Sequence, residues 1–376
     1  MIPFFRKNIR SNYAIGALVL LVALSCAETS LLAAPAGRSP RVPAQQSSAA
    51  EPTLPVFELH SGFWVNLHHF LYLQARLANG SSSSTGRPRG VAPPDEPPAS
   101  LVDFPAEEIK VWRNAVAFYA KDLARRDLLV NGEMETINNR LAEMETCSEL
   151  QGKTSPACKS GLPSDLVDAL DRAAPVYRAH WWAEHDHTNR QWIAQVAPMV
   201  RQLGVELSAQ LSEVYQRPWP PGRLRVDVVW YGGPSGAYTT FSPVHVTLSS
   251  HDVRNQGIYG FEVLFHESSH ALASAVNEAI AAEFRNRDKP IPRDLWHALL
   301  FYTTGELVRR DLAYGTMTLS ALQGTDPANY QPYAARFGFY TGGWDRFHGM
   351  LDLYWRPYLE GRVSFDTAIA RMAAAY

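Results

Sequence analysis

His266, Glu267 and His270 stand in the pattern H-E-x-x-H, which constrains the fold more than any other stretch of the 376-residue chain. Two histidines at i and i+4 reach one cation together when the segment is a helix, because a helix puts those positions on one face. The flanks say what kind of helix. Val263, Leu264 and Phe265 precede the motif, Ser268 and Ser269 lie within it, and Ala271 and Leu272 follow. Such an uncharged helix packs against other elements. Glu267 points about a quarter-turn from the histidines. It is placed to hold a metal-bound water rather than the metal. With twelve histidines in the chain, chance produces the bare motif on the order of 0.02 times.

A zinc site with three protein ligands needs one more donor. The metzincin extension requires Gly at 273 and His at 276; Ala273 and Val276 exclude it. Glu278 lies about 12 Å further along the helix axis than His270, too far to share a metal. Glu306 sits among Leu299, Leu300, Phe301, Leu307 and Val308, where an unpaired carboxylate is costly. Glu306 is therefore the expected third ligand, with His297 next. Asp294 and Glu283 read as solvated.

On these residues the chain resembles the gluzincin group of zinc metallopeptidases. The motif, a following helix bearing Glu306 and a preceding strand over Val244–Ser250 carry the likeness, which covers roughly Arg223–Tyr314. The gap from His270 to Glu306 is longer than in thermolysin-like members. The resemblance implies one zinc ion, a zinc-activated water with Glu267 as general base, and a peptide or protein substrate. It also implies a Tyr or His that donates to the oxyanion. Tyr302 is the first candidate, because it shares a helical face with Glu306. His297 is the second. By the same resemblance, the strand over Val244–Ser250 pairs with an extended substrate.

The rest of the chain fits an α+β protein that is mainly α. Arg223–Tyr231 alternates as a strand, Gly232-Gly233-Pro234 turns, and Ala237–Phe241 and Val244–Ser250 alternate again. A long helix is expected from Tyr259 to Asn286 and another from Asp294 to Tyr314. Residues 218–376 thus form a zincin-like catalytic region with a small mixed β-sheet. Residues 56–217 read as helices packed on it, opening with one over Val56–Leu77 and interrupted by a mobile loop at 79–100. Pro175 is expected to break a helix and Pro198 to kink another. The stretch around Arg178, His180 and His185 reads as a helix lining the cleft, and His68-His69 as amphipathic surface. Tyr340–Trp344 reads equally as a loop over the cleft or as an ordinary helix connection. There is no convincing internal repeat, no G-x-S-x-G elbow and no phosphate-binding loop.

Arg6, Lys7 and Arg10 precede an apolar run, Ala14–Leu24, and Ala34-Pro35-Ala36 supplies small residues for cleavage. Residues 1–36 therefore read as a signal peptide and 37–55 as a disordered linker, giving an exported chain with no membrane span after cleavage. Lipidation at Cys26 is the weaker reading, since Ala23 stands where a larger apolar residue is usual. Cys147 and Cys158 flank a polar loop, and a disulfide there stabilises by roughly 2–3 kcal/mol. The 35 basic and 37 acidic residues nearly cancel, so no basic patch points to nucleic acid. The expected function is an exported zinc-dependent metallopeptidase. The alternatives are a zinc amidase acting on cell-wall or other non-peptide amides, and a silent zincin-fold binding protein. The intact Glu267 argues against the silent protein.

Overall fold

Residues 54–80, 99–314 and 326–376 are described by a computed structural model. The expected signal segment, nearly all of the linker and most of the 79–100 loop lie outside them. The described chain belongs to one unit, mainly helical with a small mixed sheet of four strands.

The strands are β1 (Phe57–His60), β2 (Leu224–Val229), β3 (Ala237–Phe241) and β4 (Val244–Ser249), in the order β1-β2-β4-β3. β1 and β4 run parallel to β2 on either side, and β3 runs antiparallel to β4 at the edge. Two expectations change here. The first helix does not start at Val56, because Phe57–His60 is a strand and α1 spans Phe63–Ala78. Nor is the Val244–Ser249 strand available to a substrate. It is hydrogen-bonded on both sides, and the edge strands are β1 and, next to Val244–Ser249, β3.

The sheet separates two apolar clusters. Side chains alternate along β2, so Val226 and Val228 pack with α5 (Trp182–Tyr215), α6 (Ile258–Ser269) and α8 (Leu295–Ala313), while Val229 faces the N-terminal helices. Those helices are α1, α2 (Ala106–Lys121), α3 (Gly132–Glu143) and α4 (Ser164–His180). Pro175 does not break α4, and α5 runs 34 residues through Pro198. Among the described residues no helix is long and apolar enough to cross a membrane.

A buried polar network joins α3 to the sheet. Asp227, fully buried, takes His245 Nε2 at 2.7 Å and Arg225 Nε at 2.7 Å, and His245 Nδ1 lies 2.8 Å from Asn139 Oδ1. Burial alone would raise the Asp227 carboxyl. Hydrogen bonds from His245 and Arg225 outweigh it and hold the group well below the usual carboxylate range. Cys147 and Cys158, 5.5 Å apart at Cα, are joined in a disulfide just after α3.

After α6 the expected long helix divides. A single 3-10 turn, His270–Leu272, leads into α7 (Ser274–Asn286), and a Pro-containing connection returns the chain into α8. The C-terminal part adds α9 (Tyr333–Arg336) and α10 (Asp345–Met350). It continues through a π-helical stretch, Leu351–Trp355, to α11 (Arg356–Leu359) and α12 (Phe365–Ala375).

Candidate metal centre and cleft

α6 is buried on nearly every side, and its sequence fits that. Phe261, Leu264 and Phe265 enter the core, and the two serines bond to their own helix: Ser268 Oγ to Leu264 O and Ser269 Oγ to His266 O, at 2.8 and 2.7 Å. Gly260 permits the close crossing with α5, where a Cβ would stand 2.4 Å from Asn255 O and 2.9 Å from the Trp192 indole nitrogen.

The helix presents His266, Glu267 and His270 at its C-terminal end, and α8 brings His297 to them. One ligand-capable nitrogen from each of His266, His270 and His297 lies within 4.8 Å of the other two. His266 Nε2 and His297 Nε2 are 3.3 Å apart. Two nitrogens sharing one tetrahedral zinc at ~2.0–2.1 Å are separated by ~3.3–3.4 Å. Burial lowers all three imidazoles, His297 to about 4 and the other two well below the ordinary value. They are neutral at pH 7, with lone pairs for a metal. The His266–His297 pair stands at that spacing, and three imidazoles are a donor set that suits zinc. The set as a whole, within 4.8 Å, would draw together on an ion.

Glu306, the expected third ligand, is not at this centre. Nine residues separate it from His297 on an unbroken helix, which puts it on the opposite face and about 13 Å along the axis. The cost of its apolar neighbourhood is met by Arg309, whose Nε donates to Glu306 Oε1 at 3.2 Å. Tyr302 shares that far face. Its hydroxyl donates to Asp352 Oδ1 at 2.5 Å and accepts from Arg356 Nε at 2.9 Å, so the structure does not bring it to the motif histidines. His297, held second for both roles, stands beside the motif histidines.

Glu267 is 7 % exposed and lines the cleft. Its Oε2 lies 3.0 Å from Thr239 Oγ1 and 3.9 Å from His270 Nε2. Burial pushes the carboxyl up to about 7, against the Thr239 hydrogen bond. A carboxyl tuned that way suits a proton acceptor near neutral pH. Thr239 is on the edge strand, so β3 both orients Glu267 and flanks the cleft.

The cleft holds about 1100 Å³. One wall is aromatic: Phe301 stacks on His266 with centroids 3.5 Å apart, and Tyr333, Phe339 and Trp344 continue it. Thr341, Gly342 and Gly343 also line it, so the Tyr340–Trp344 segment belongs to the cleft. The Arg178–His185 stretch does not. Arg178 lies over the Phe63 ring, His180 pairs with Glu108 at 2.7 Å, and His185 pairs with Tyr177 and stacks on Trp230. His68 and His69 are not surface residues either. Both are fully buried, paired with Tyr119 and Tyr238 hydroxyls.

The aromatic wall is tied to α6 through Glu262, one turn before His266. This fully buried carboxyl accepts from the Tyr330 hydroxyl and from Tyr333 N–H at 2.8–2.9 Å. Nothing in the motif signalled it. Burial pushes it from 4.5 up to about 8 despite those bonds. A pKa raised by folding contributes stability that is full below the unfolded value and is lost as pH rises through the folded one. Glu262 alone therefore contributes a fall of about 1.4 kcal/mol per pH unit between the two values, on top of that from other titrating groups such as Glu267. Glu262→Gln should remove that slope, and urea unfolding from pH 5 to 9 measures it. Equal slopes in both proteins would refute the assignment.

The chain matches no known family model, no curated protein and no solved structure.

Proposed function

We propose that this protein is a zinc-dependent hydrolase that cleaves peptide bonds. The observation that carries the reading is the convergence of three neutral imidazoles, His266, His270 and His297, beside a buried carboxyl, Glu267, in a large cleft. The arrangement is zincin-like in its H-E-x-x-H helix and edge strand. It departs from the gluzincin pattern in its third donor, imidazole instead of carboxylate. His266, His270 and His297 would hold the zinc, which would supply Lewis acidity toward a carbonyl and a water of lowered pKa, the more so because three neutral ligands would leave its charge undiminished.

The chain's own groups do the rest. Glu267 takes the water's proton and delivers it to the leaving amine. Thr239 Oγ1 orients that carboxyl. The free edge of β3 holds an extended backbone by strand addition. The aromatic wall excludes water from the side facing α8. The disulfide supports an oxidising compartment, and with the basic, apolar N-terminus it supports export.

The purified protein should bind one zinc ion and cleave members of a mixed peptide library, and a chelator should abolish cleavage. Stoichiometric zinc with cleavage of non-peptide amides alone would favour the amidase. Zinc with no hydrolysis at all would leave a binding protein. A protein that takes up no zinc would overturn the reading.

A further inference from the structure

The free edge of β3 is short. Ser249 N–H donates to Gly236 O at 2.8 Å, and antiparallel ladders alternate. The backbone groups of Ala237, Thr239 and Phe241 therefore point outward from β4. Two of them are taken. Phe241 N–H donates to Glu135 Oε1 at 2.9 Å, and Ala237 O accepts from Ser235 Oγ at 2.8 Å. Ala237 N–H and both groups of Thr239 have no partner among the described residues; both residues are buried, 4 % and 1 % exposed, and meet the cleft from its floor. An antiparallel segment added there exchanges two hydrogen bonds with Thr239, beside Glu267, and one with Ala237. Its C-terminal side then runs toward Gly236.

A buried arginine stands at that end. Arg254 is 3 % exposed and lines the cleft, the sole lysine or arginine among the described residues to do so. Asp252 takes its Nε at 2.9 Å and bonds its Nη2, which also donates to Ser235 O at 3.2 Å. Nη1 has no partner among the described residues. The turn is built around this pair. Gly236 has φ 84°, and a Cβ there would stand 2.5 Å from Asp252 Oδ2 and 3.0 Å from Arg254 Nη2. Gly236 is three residues from Thr239, about 10 Å along the strand.

We propose that Arg254 binds the α-carboxylate of a short peptide lying antiparallel to β3, so that the cleft acts near a free C-terminus. This rests on the peptidase reading. The carboxylate sits two or three residues past the residue that pairs with Thr239. With Nε and Nη2 held by Asp252 and Ser235 O, the guanidinium offers the N–H donors of Nη1 alone, in a fixed direction, for a charge-assisted hydrogen bond to a carboxylate. Strand polarity selects the C-terminus, because the ammonium of an N-terminus would meet the same arginine unfavourably.

The test uses zinc-loaded full-length protein and N-acylated peptides of one sequence, ending as acid or as amide one, two or three residues past the cleaved bond. A further amidated peptide carries aspartate at the last position. At one length the acid should exceed the amide in kcat/KM by about tenfold or more, the scale of one charge-assisted hydrogen bond. In Arg254→Gln the ratio should fall to about one, and in Arg254→Lys it should be intermediate. Where Arg254→Gln unfolds by stranding Asp252, the double variant Asp252→Asn/Arg254→Gln removes both charges together. Equal rates for wild-type acid and amide would overturn the proposal. So would equal loss on both peptides in the variants, or preference for the aspartyl amide over the free acid. Calorimetric titration of Glu267→Gln with the acid and the amide separates the two readings. Arg254-dependent binding of the acid without turnover in the wild type supports the carboxylate site and sinks the peptidase. Cleavage of amides with no acid preference does the reverse.

Discussion

Glu267→Gln should lower kcat on any cleaved peptide by about 10²- to 10⁴-fold, the usual contribution of a positioned general base, while leaving zinc content unchanged. The substitution is nearly isosteric. The Gln carbonyl oxygen still accepts from Thr239 Oγ1, 3.0 Å from Oε2 in the native side chain, so the cleft keeps its shape. What is lost is the capacity to take a proton. Glu267 is the right group to remove because its basicity is built in. A carboxyl at its ordinary pKa is a weak base at pH 7, and burial raises this one to about 7. A chain that only bound peptides would gain nothing from that burial. Parallel measurement of zinc and of peptide affinity in the variant tells loss of chemistry from loss of structure. Full activity in Glu267→Gln would remove Glu267 from the reaction and with it the proposed mechanism.

The helix bearing His266, Glu267 and His270 was legible because its information is local: the spacing fixes the face, and the uncharged flanks fix the burial. The strands Leu224–Val229, Ala237–Phe241 and Val244–Ser249 were legible within two residues for the same reason, period-two alternation. Sheet order was not. Chain order makes β4 the last strand, so it looked like the edge. Instead it pairs parallel with β2 and pushes β3 outward, a decision made by packing of distant surfaces. β1 escaped because four residues carry too little alternation to separate from a following aromatic helix, and its partner lies more than 160 positions away. The arginine at the cleft end was invisible too. Its meaning comes from the turn Gly232–Gly236 closing on Asp252 and Arg254, which no spacing rule connects.

His297→Ala should abolish stoichiometric zinc binding, and Glu306→Ala should leave it intact. Only one face of α8 can turn toward α6. His297 and Phe301, four residues apart, share that face, and Phe301 lies flat on the His266 ring. Glu306 and Tyr302 share the other face, toward Arg309, Asp352 and Arg356. An apolar neighbourhood around a carboxylate signals that something must pair with it, and an arginine one turn on serves as well as a metal. The connection through α7 decides between the faces, because it sets how α8 re-enters against the end of α6. With His297 gone, two imidazoles remain, and a bidentate site holds zinc far more weakly than a three-donor one. Equilibrium dialysis with elemental analysis measures the difference. The expected result is near-zero zinc for His297→Ala and about one equivalent for Glu306→Ala, with both variants folded by circular dichroism. Zinc retained in His297→Ala and lost in Glu306→Ala would mean that α8 turns its other face to the metal when zinc is bound.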